Sequence, residues 1–179
     1  MTLINSVSNF RDVAIGSKMK KKILFRCAKL STLTDGDIKK LEELNPHAII
    51  DFRDPKEIQK APDNLSKSLL EKSISLPISA STLNRMVIQK NIDGDNELTY
   101  EKVMEESYKK YINNHKHVWK EFIKILLDSN NHPVIFHCSA GKDRTGIASF
   151  LIQKLLNNSM DLIFENYLMS NKLLTSIAA

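Results

Sequence analysis

Cysteine is scarce in this chain of 179 residues: only Cys27 and Cys138 occur. Two are too few for the disulfide framework of a small secreted scaffold and agree with a reducing compartment. Glycine and proline contribute five residues each, which excludes collagen-like and Pro/Gly-rich low-complexity chains. No apolar run reaches bilayer-spanning length, and the polar start Met1 to Phe10 has no signal-peptide core. Internal repeats and dividing linkers are also missing. What the chain does have is 42% hydrophobic and 26% charged residues, enough to bury a core and too apolar for a disordered tail. Lys and Arg total 26 against 21 for Asp and Glu, a net charge of +5. That is a mild bias toward anionic partners and not a nucleic-acid-binding charge pattern. The expectation is one cytoplasmic, soluble, monomeric α/β domain over residues 1–179, with export without a classical signal peptide left open.

Strand-like runs, short and rich in β-branched or aromatic residues, occur at Lys22 to Arg26, His47 to Phe52, Ser73 to Ile78 and Pro133 to His137. Helical patterns separate them. Thr34 and Asp37 resemble a capping box that opens a helix through Leu44, which Asn45-Pro46 must end. From Glu97 to about Asp128, Tyr111, His115, Val118, Trp119, Phe122, Ile123 and Leu126 recur at spacings of three and four, marking one core face. Another helix follows Arg144, and a last one starts at Ser159 or Asp161 and runs to about Leu173. This alternation predicts a mainly parallel central sheet of four to five strands with helices on both faces. Ser79 to Asn96 reads as a long excursion around a short helix near Arg85 to Lys90. The basic run Lys18 to Lys22 reads as a solvated turn in preference to a membrane contact.

The chemistry is concentrated in one segment. Val134 to His137 has the apolar character of a buried strand, Cys138-Ser139-Ala140-Gly141-Lys142 forms a short loop, and Asp143-Arg144-Thr145-Gly146 opens an amphipathic helix. A strand that feeds a loop into a helix N-terminus makes an anion site, because unpartnered N–H groups and the positive end of the helix dipole converge there. A thiol placed in such a field is shifted toward its thiolate, the nucleophilic form. A surface helix dipole alone supplies about 0.3–1 kcal/mol, so Arg144, His137 and the loop amides would share that task. Arg144 follows Cys138 after five intervening residues. The loop can therefore curl to bring guanidinium and sulfur to one phosphoryl dianion, with bidentate contacts from Arg144 and in-line attack by Cys138. Thr145 is placed to donate its hydroxyl to the sulfur.

Other readings of these letters fit less well. A Walker phosphate loop needs Gly where Phe136 stands and Ser or Thr where Asp143 stands. A thiol protease needs its histidine across a cleft, whereas His137 is the immediate neighbour of Cys138. Cys138 alone would read as a small buried residue, but a buried apolar turn has no use for Lys142 and Arg144 beside it.

His137 to Gly146 resembles the signature loop of the protein tyrosine phosphatase superfamily, in the Gly-Lys-Asp-Arg-Thr-Gly form of a bacterial branch with tyrosine, dual-specificity or phosphoinositide activity. The resemblance covers nearly the whole chain. Asn9-Phe10-Arg11-Asp12, Leu24-Phe25-Arg26 with Leu30-Ser31 and Leu33-Thr34, Asp51-Phe52-Arg53 with Glu57, and Tyr167-Leu168-Met169-Ser170-Asn171 are similar to further motifs of that branch. Ala14-Ile15 in place of a usual Gly-Gly, Cys27 in place of Ser, Asn166 in place of Asp and the end at Ala179 depart from it. The resemblance implies the cysteine-dependent phosphatase fold and a phosphocysteine mechanism with no metal or other cofactor. In that mechanism Cys138 is the nucleophile, and Ser139, Ala140, Gly141, Lys142, Asp143 and Arg144 bind phosphate. The substrate is expected to be phosphotyrosine in proteins, with phosphoinositide or dual-specificity activity as the alternative.

Two assignments stay open at this level. The general acid is Asp143 by resemblance to the Lys-Asp-Arg branch, or Asp93 or Asp95 on the excursion, which also read as turn residues around Gly94. Arg11, Asp12, Arg26, Asp51 and Arg53 read as buried ion pairs around the loop, in preference to substrate contacts. His47, His115, His117 and His132 lack ligand spacing, and Trp119 reads as core. Cys27 reads as structural, with trapping of an oxidised Cys138 as the alternative. A catalytically idle phosphate-binding module and a rhodanese-type sulfur transferase are the competing classes. Intact Cys138 and Arg144 weigh against the first, and the cysteine-to-arginine spacing against the second.

Overall fold

The computed structural model describes residues 4–14, 16–17, 19–79, 99–130 and 132–175. Along the chain lie β1 (Arg11–Asp12), β2 (Leu24–Cys27), α1 (Asp35–Leu44), β3 (Ala48–Asp51), α2 (Pro55–Lys60) and α3 (Lys67–Leu70). Then come β4 (Ser73–Ser75), α4 (Tyr100–Asn113), α5 (Lys116–Asp128), β5 (Val134–His137), α6 (Asp143–Leu155) and α7 (Met160–Thr175). The five strands form one sheet in the order β1-β2-β5-β3-β4. β1 is antiparallel to β2, and the remaining pairs are parallel. The α/β architecture with a mainly parallel sheet is thus the one expected.

Side chains alternate across the central strands, so each face needs its own cover. Ala48, Ile50, Phe52, Val134 and Phe136 pack with Tyr111, Trp119 and Phe122 from α4 and α5 and with Ile147, Ala148 and Ile152 from α6. Phe52, Phe122 and Phe136 meet edge to face, with ring centroids 5.3–6.4 Å apart, a geometry that adds to simple area burial. On the other face Phe25, Cys27, Ile49 and Ile135 meet Leu41 of α1, Leu69 of α3 and the N-terminal Ile4, Val7 and Phe10.

Local chemistry explains most element boundaries. Thr34 caps α1 by accepting from Asp37 N, and Asn45 ends the helix in the left-handed region at φ 49°. The reciprocal arm of the expected capping box is not made. Asp37 instead accepts from Asn5, Ser6 and Lys40, and Ser6 Oγ takes over the Thr34 amide. The helical pattern expected to run unbroken to Asp128 is two helices, because the chain turns at Asn114 and His115. The periodicity survives that break because both helices bury the same side, and Trp119 Nε1 donates to Tyr111 O at 2.9 Å across it. The strand predicted over Ser73 to Ile78 stops at Ser75, although Leu76 N and Ile78 N still donate to Asp51 O and Phe52 O. The expected helix near Arg85 to Lys90 lies outside the described residues. So do Ile15 and Lys18, while Lys20, Lys21 and Lys22 are exposed as anticipated.

Candidate active site

Parallel pairing sets three strand ends in one row, with Cys27 opposite His137 and His137 opposite Asp51. β5 is the middle strand, so Cys138 emerges at the centre of the carboxyl edge, where open α/β sheets bind ligands. Cys138 is 2% exposed. The loop after it is fixed by its outward-facing carbonyls. Ser139 O accepts from Lys29 N at 3.1 Å, Gly141 O from Asn9 Nδ2 at 2.7 Å and from Arg26 Nη2 at 2.8 Å, and Lys142 O from Arg26 Nη2 at 3.5 Å. Among the described residues nothing accepts from the amides of Ser139, Ala140, Gly141 or Lys142. Carbonyls tied to other parts of the chain leave those amides as unpartnered donors, of the kind that binds phosphate. Gly141 makes the curl sterically feasible. Its φ is +65°, and a Cβ there would lie 2.3 Å from Cys27 O, a conformation and an approach that only glycine tolerates.

Arg144 lies on the first turn of α6 and is 5% exposed. Its Nη1 donates to Glu57 Oε2 at 2.6 Å and its Nη2 to Glu57 Oε1 at 2.7 Å, with further Nη1 contacts to Phe52 O and Ile78 O. One edge of the fork is therefore held by protein. Among the described residues Nε–H and the second Nη2–H have no partner, and that is the edge suited to two phosphoryl oxygens. Burial acts to raise Glu57, but hydrogen bonds from Arg144 and Ser139 overcome it and hold the carboxyl at about 2. Burial acts to lower Arg144, and the bond to Glu57 outweighs it and keeps the guanidinium charged.

Glu57 escaped the sequence reading except as part of a resembling motif, although its signal is there. Asp54-Pro55-Lys56-Glu57 is a capping box with proline at N1. In the fold Asp54 accepts from Glu57 N while Glu57 Oε2 accepts from Asp54 N at 3.0 Å. The helix cap thus orients the carboxylate that orients Arg144. Asn9, with φ 59°, is likewise visible in the sequence only as part of a motif, and it supports the loop carbonyls.

Asp143 opens α6, and its Oδ1 accepts from Tyr108 Oη at 2.5 Å and lies 3.7 Å from Lys142 Nζ. Thr145 Oγ1 is buried without a hydrogen-bond partner among the described residues. Asp93 and Asp95 lie outside the described residues. His137 is fully buried behind the loop, with Nε2 3.4 Å from Asp63 and Nδ1 3.8 Å from Asp51. Burial pushes its pKa down despite those carboxylates.

Arg53 chelates Asp51 and reaches Asp63 at 2.6 Å, so Asp51 and Arg53 do pair as expected. The oxygens of Asp51 and Asp63 and a ring nitrogen of His137 lie within 4.8 Å of one another. The Arg53 guanidinium already occupies both carboxylates. Arg11 and Arg26 correct the ion-pair expectation, since neither meets a carboxylate among the described residues. Arg11 donates to Asn9, Asn166 O and Ser170 Oγ, and Arg26 donates only to the loop carbonyls. Burial lowers them to about 9 and about 10, leaving both charged at neutral pH. Asp12 closes a turn by accepting from Ala14 N and Lys22 N. Cys27 joins the hydrophobic cluster on one sheet face and Cys138 the cluster on the other. Burial raises Cys27 well above an ordinary thiol, which supports a structural residue over a redox partner.

The sequence profile of the tyrosine phosphatase family matches residues 2–179. A tyrosine-protein phosphatase of Nostoc commune is 29% identical over 145 residues, covering 81% of this chain and 47% of its own length. A triple specificity protein phosphatase of Mycobacterium tuberculosis is 26% identical over 184 residues, covering 91% of this chain and 66% of its own. An inositol diphosphatase of Arabidopsis thaliana is 37% identical over 57 residues, 32% of this chain and 29% of its own length. The chain thus spans less than two thirds of each of these relatives. No described helix is long and apolar enough to cross a membrane. With a profile match over residues 2–179, the chain belongs to the tyrosine phosphatase family.

Proposed function

We propose that the protein is a cysteine-dependent phosphomonoesterase acting on phosphotyrosine in proteins. The carrying observation is the polarity of the Cys138–Lys142 loop, whose carbonyls are tied outward and whose amides have no described acceptor. Four unpartnered amide donors in the loop after a buried cysteine, with the Nε–Nη2 edge of Arg144 left open by Glu57, suit three phosphoryl oxygens. In the first step Cys138 Sγ bonds to phosphorus, the ester P–O bond breaks, and Asp143 gives a proton to the leaving oxygen. In the second step water attacks phosphorus, Asp143 takes its proton, and the S–P bond breaks to release phosphate. The amides and Arg144 stabilise charge on the equatorial oxygens in both transition states.

Lys142 gives a specific reason to keep phosphoinositides as a second reading. Its ammonium lies 3.7 Å from Asp143 Oδ1 at the loop edge, where a second ring phosphate would find a cation. The test is turnover of p-nitrophenyl phosphate, a phosphotyrosine peptide and a set of phosphoinositides. Wild type should turn over the aryl phosphate and the peptide, and Cys138→Ser should abolish both, a loss of at least about 10³-fold. Activity confined to the lipids would replace the first reading with the second. Binding of phosphate without turnover by wild type would leave an idle module.

A further inference from the structure

The sequence motif Tyr167 to Asn171 takes no part in the proposed chemistry, yet it reaches the loop. Ser170 Oγ accepts from Arg11 and from Asn9, and Asn9 in turn holds the loop carbonyls. Tyr167 Oη lies 2.7 Å from Tyr108 Oη, and Tyr108 Oη lies 2.5 Å from Asp143 Oδ1. A carboxylate only accepts, so the single phenolic proton of Tyr108 goes to Asp143 and Tyr167 donates to Tyr108. Hydroxyls from α4 and α7 therefore run in one line to the first residue of α6. Burial and then Asp143 push Tyr108 well above an ordinary phenol, so the donor keeps its proton at working pH.

The surroundings give these hydroxyls few alternatives. Tyr108 and Tyr167 line a cavity of about 260 Å³ whose wall is almost wholly apolar, which favours hydroxyls bonded to each other. Gly146 fixes the place of the second ring: a Cβ there would stand 2.9 Å from Tyr167 Cε2. Glycine inside a helix costs about 1 kcal/mol relative to alanine, and here its missing methyl leaves room for the Tyr167 ring.

We infer that Tyr108 is a positioning residue for proton transfer by Asp143, with Tyr167 holding Tyr108 in place. This rests on the reading of Asp143 as the acid. With Oδ1 engaged by Tyr108, the proton that Asp143 gives and takes is carried on Oδ2, which has no described partner. Tyr108 also removes the rotational freedom that an aspartate on a helix's first turn would otherwise have.

The experiment compares wild type, Asp143→Asn, Tyr108→Phe, Tyr167→Phe and Tyr108→Phe/Asp143→Asn. It follows kcat/KM on aryl phosphates from good to poor leaving groups, together with inhibition by inorganic phosphate. Asp143→Asn should steepen the dependence on leaving-group acidity. Tyr108→Phe should steepen it in the same sense, with about a tenfold loss on phenyl phosphate and little on the best leaving group. Phosphate inhibition should be unchanged, and the double variant no worse than Asp143→Asn. Tyr167→Phe should follow with a smaller loss, and Gly146→Ala should mimic it by displacing the ring. A Tyr108→Phe loss that is uniform across the series, or that multiplies with Asp143→Asn, overturns the inference while Asp143 stands. An unchanged slope in Asp143→Asn overturns the acid assignment and the inference with it.

Discussion

On the side of β5 that faces β3, buried charges are matched: Arg53 sits between Asp51 and Asp63, and neutral His137 lies against both. On the side that faces β2, Arg11 and Arg26 are buried with carbonyls, an amide and a hydroxyl as partners and no carboxylate among the described residues. The first arrangement satisfies its own charges. The second leaves two cations beside the Cys138 loop uncompensated, which costs stability and offers a field to an anion. Within one small sheet, then, one flank satisfies its own charges, and the other, on the proposed reading of the loop, is left to a bound anion. Arg144 stands between these extremes, because Glu57 fixes half of its fork and the other half has no partner among the described residues.

Breaking the matched flank should give the largest effect on stability. Asp51→Asn removes the carboxylate that Arg53 chelates through Nε and Nη2 and leaves a guanidinium that is 1% exposed with Asp63 as its remaining anion. Removing one partner of a buried pair costs about 3–5 kcal/mol, and the surviving contact to Asp63 places this variant near the lower end. The midpoint of urea unfolding measures it. A loss under about 1 kcal/mol would show that Asp63 alone neutralises Arg53.

The legible parts of the molecule share a physical trait, that each is specified within its own segment. β2, β3 and β5 are short apolar runs, and burial on both faces makes such runs continuous. The strand, loop and helix around Cys138 were readable because the residues that specify them lie within about ten positions. What depends on partners distant in sequence was not. β1 is two charged residues that become a strand only by pairing with Phe25 and Arg26. His115 sits in register with a helical core face yet caps the second of two helices, because periodicity does not report a break that keeps the face. Tyr108 meets Asp143 across 35 residues, and no local pattern encodes that contact. Glu57 is the intermediate case. Its capping box was legible, but its bond to Arg144, 87 residues away, was not.

Acid should sharpen the contrast between the flanks with the next largest effect. Glu57 is held at about 2 in the fold against about 4.3 for a free glutamate. Its contribution is therefore fully present above the unfolded value and is lost as pH falls through the folded one. The shift corresponds to about 3 kcal/mol at most, reduced by screening because the side chain is 23% exposed. His137 acts in the same direction over a higher window, since a lowered folded pKa means that the unfolded chain takes its proton first as pH drops below about 6.5. Denaturation midpoints measured from pH 7 to pH 2.5 should fall continuously. Glu57→Gln should flatten only the part below about pH 5.

Arg26→Met tests the unmatched flank, and its expected signature is the reverse of Asp51→Asn. The substitution removes a cation with no described carboxylate and two orphaned donors, Nε and Nη1, and replaces them with an apolar chain of similar length. Relief of desolvation then offsets the lost bonds to Gly141 O and Lys142 O, and stability should change by less than about 1 kcal/mol. The anion site should not escape. Without Nη2 on those carbonyls the loop amides lose part of their orientation, and the nearby positive charge disappears. Inhibition by inorganic phosphate should weaken about tenfold, equivalent to about 1.4 kcal/mol, and more at low than at high salt. If Arg26→Met instead destabilises the protein as much as Asp51→Asn while phosphate affinity holds, the two flanks do the same work. The absence of a carboxylate beside Arg26 then has no bearing on what the loop binds.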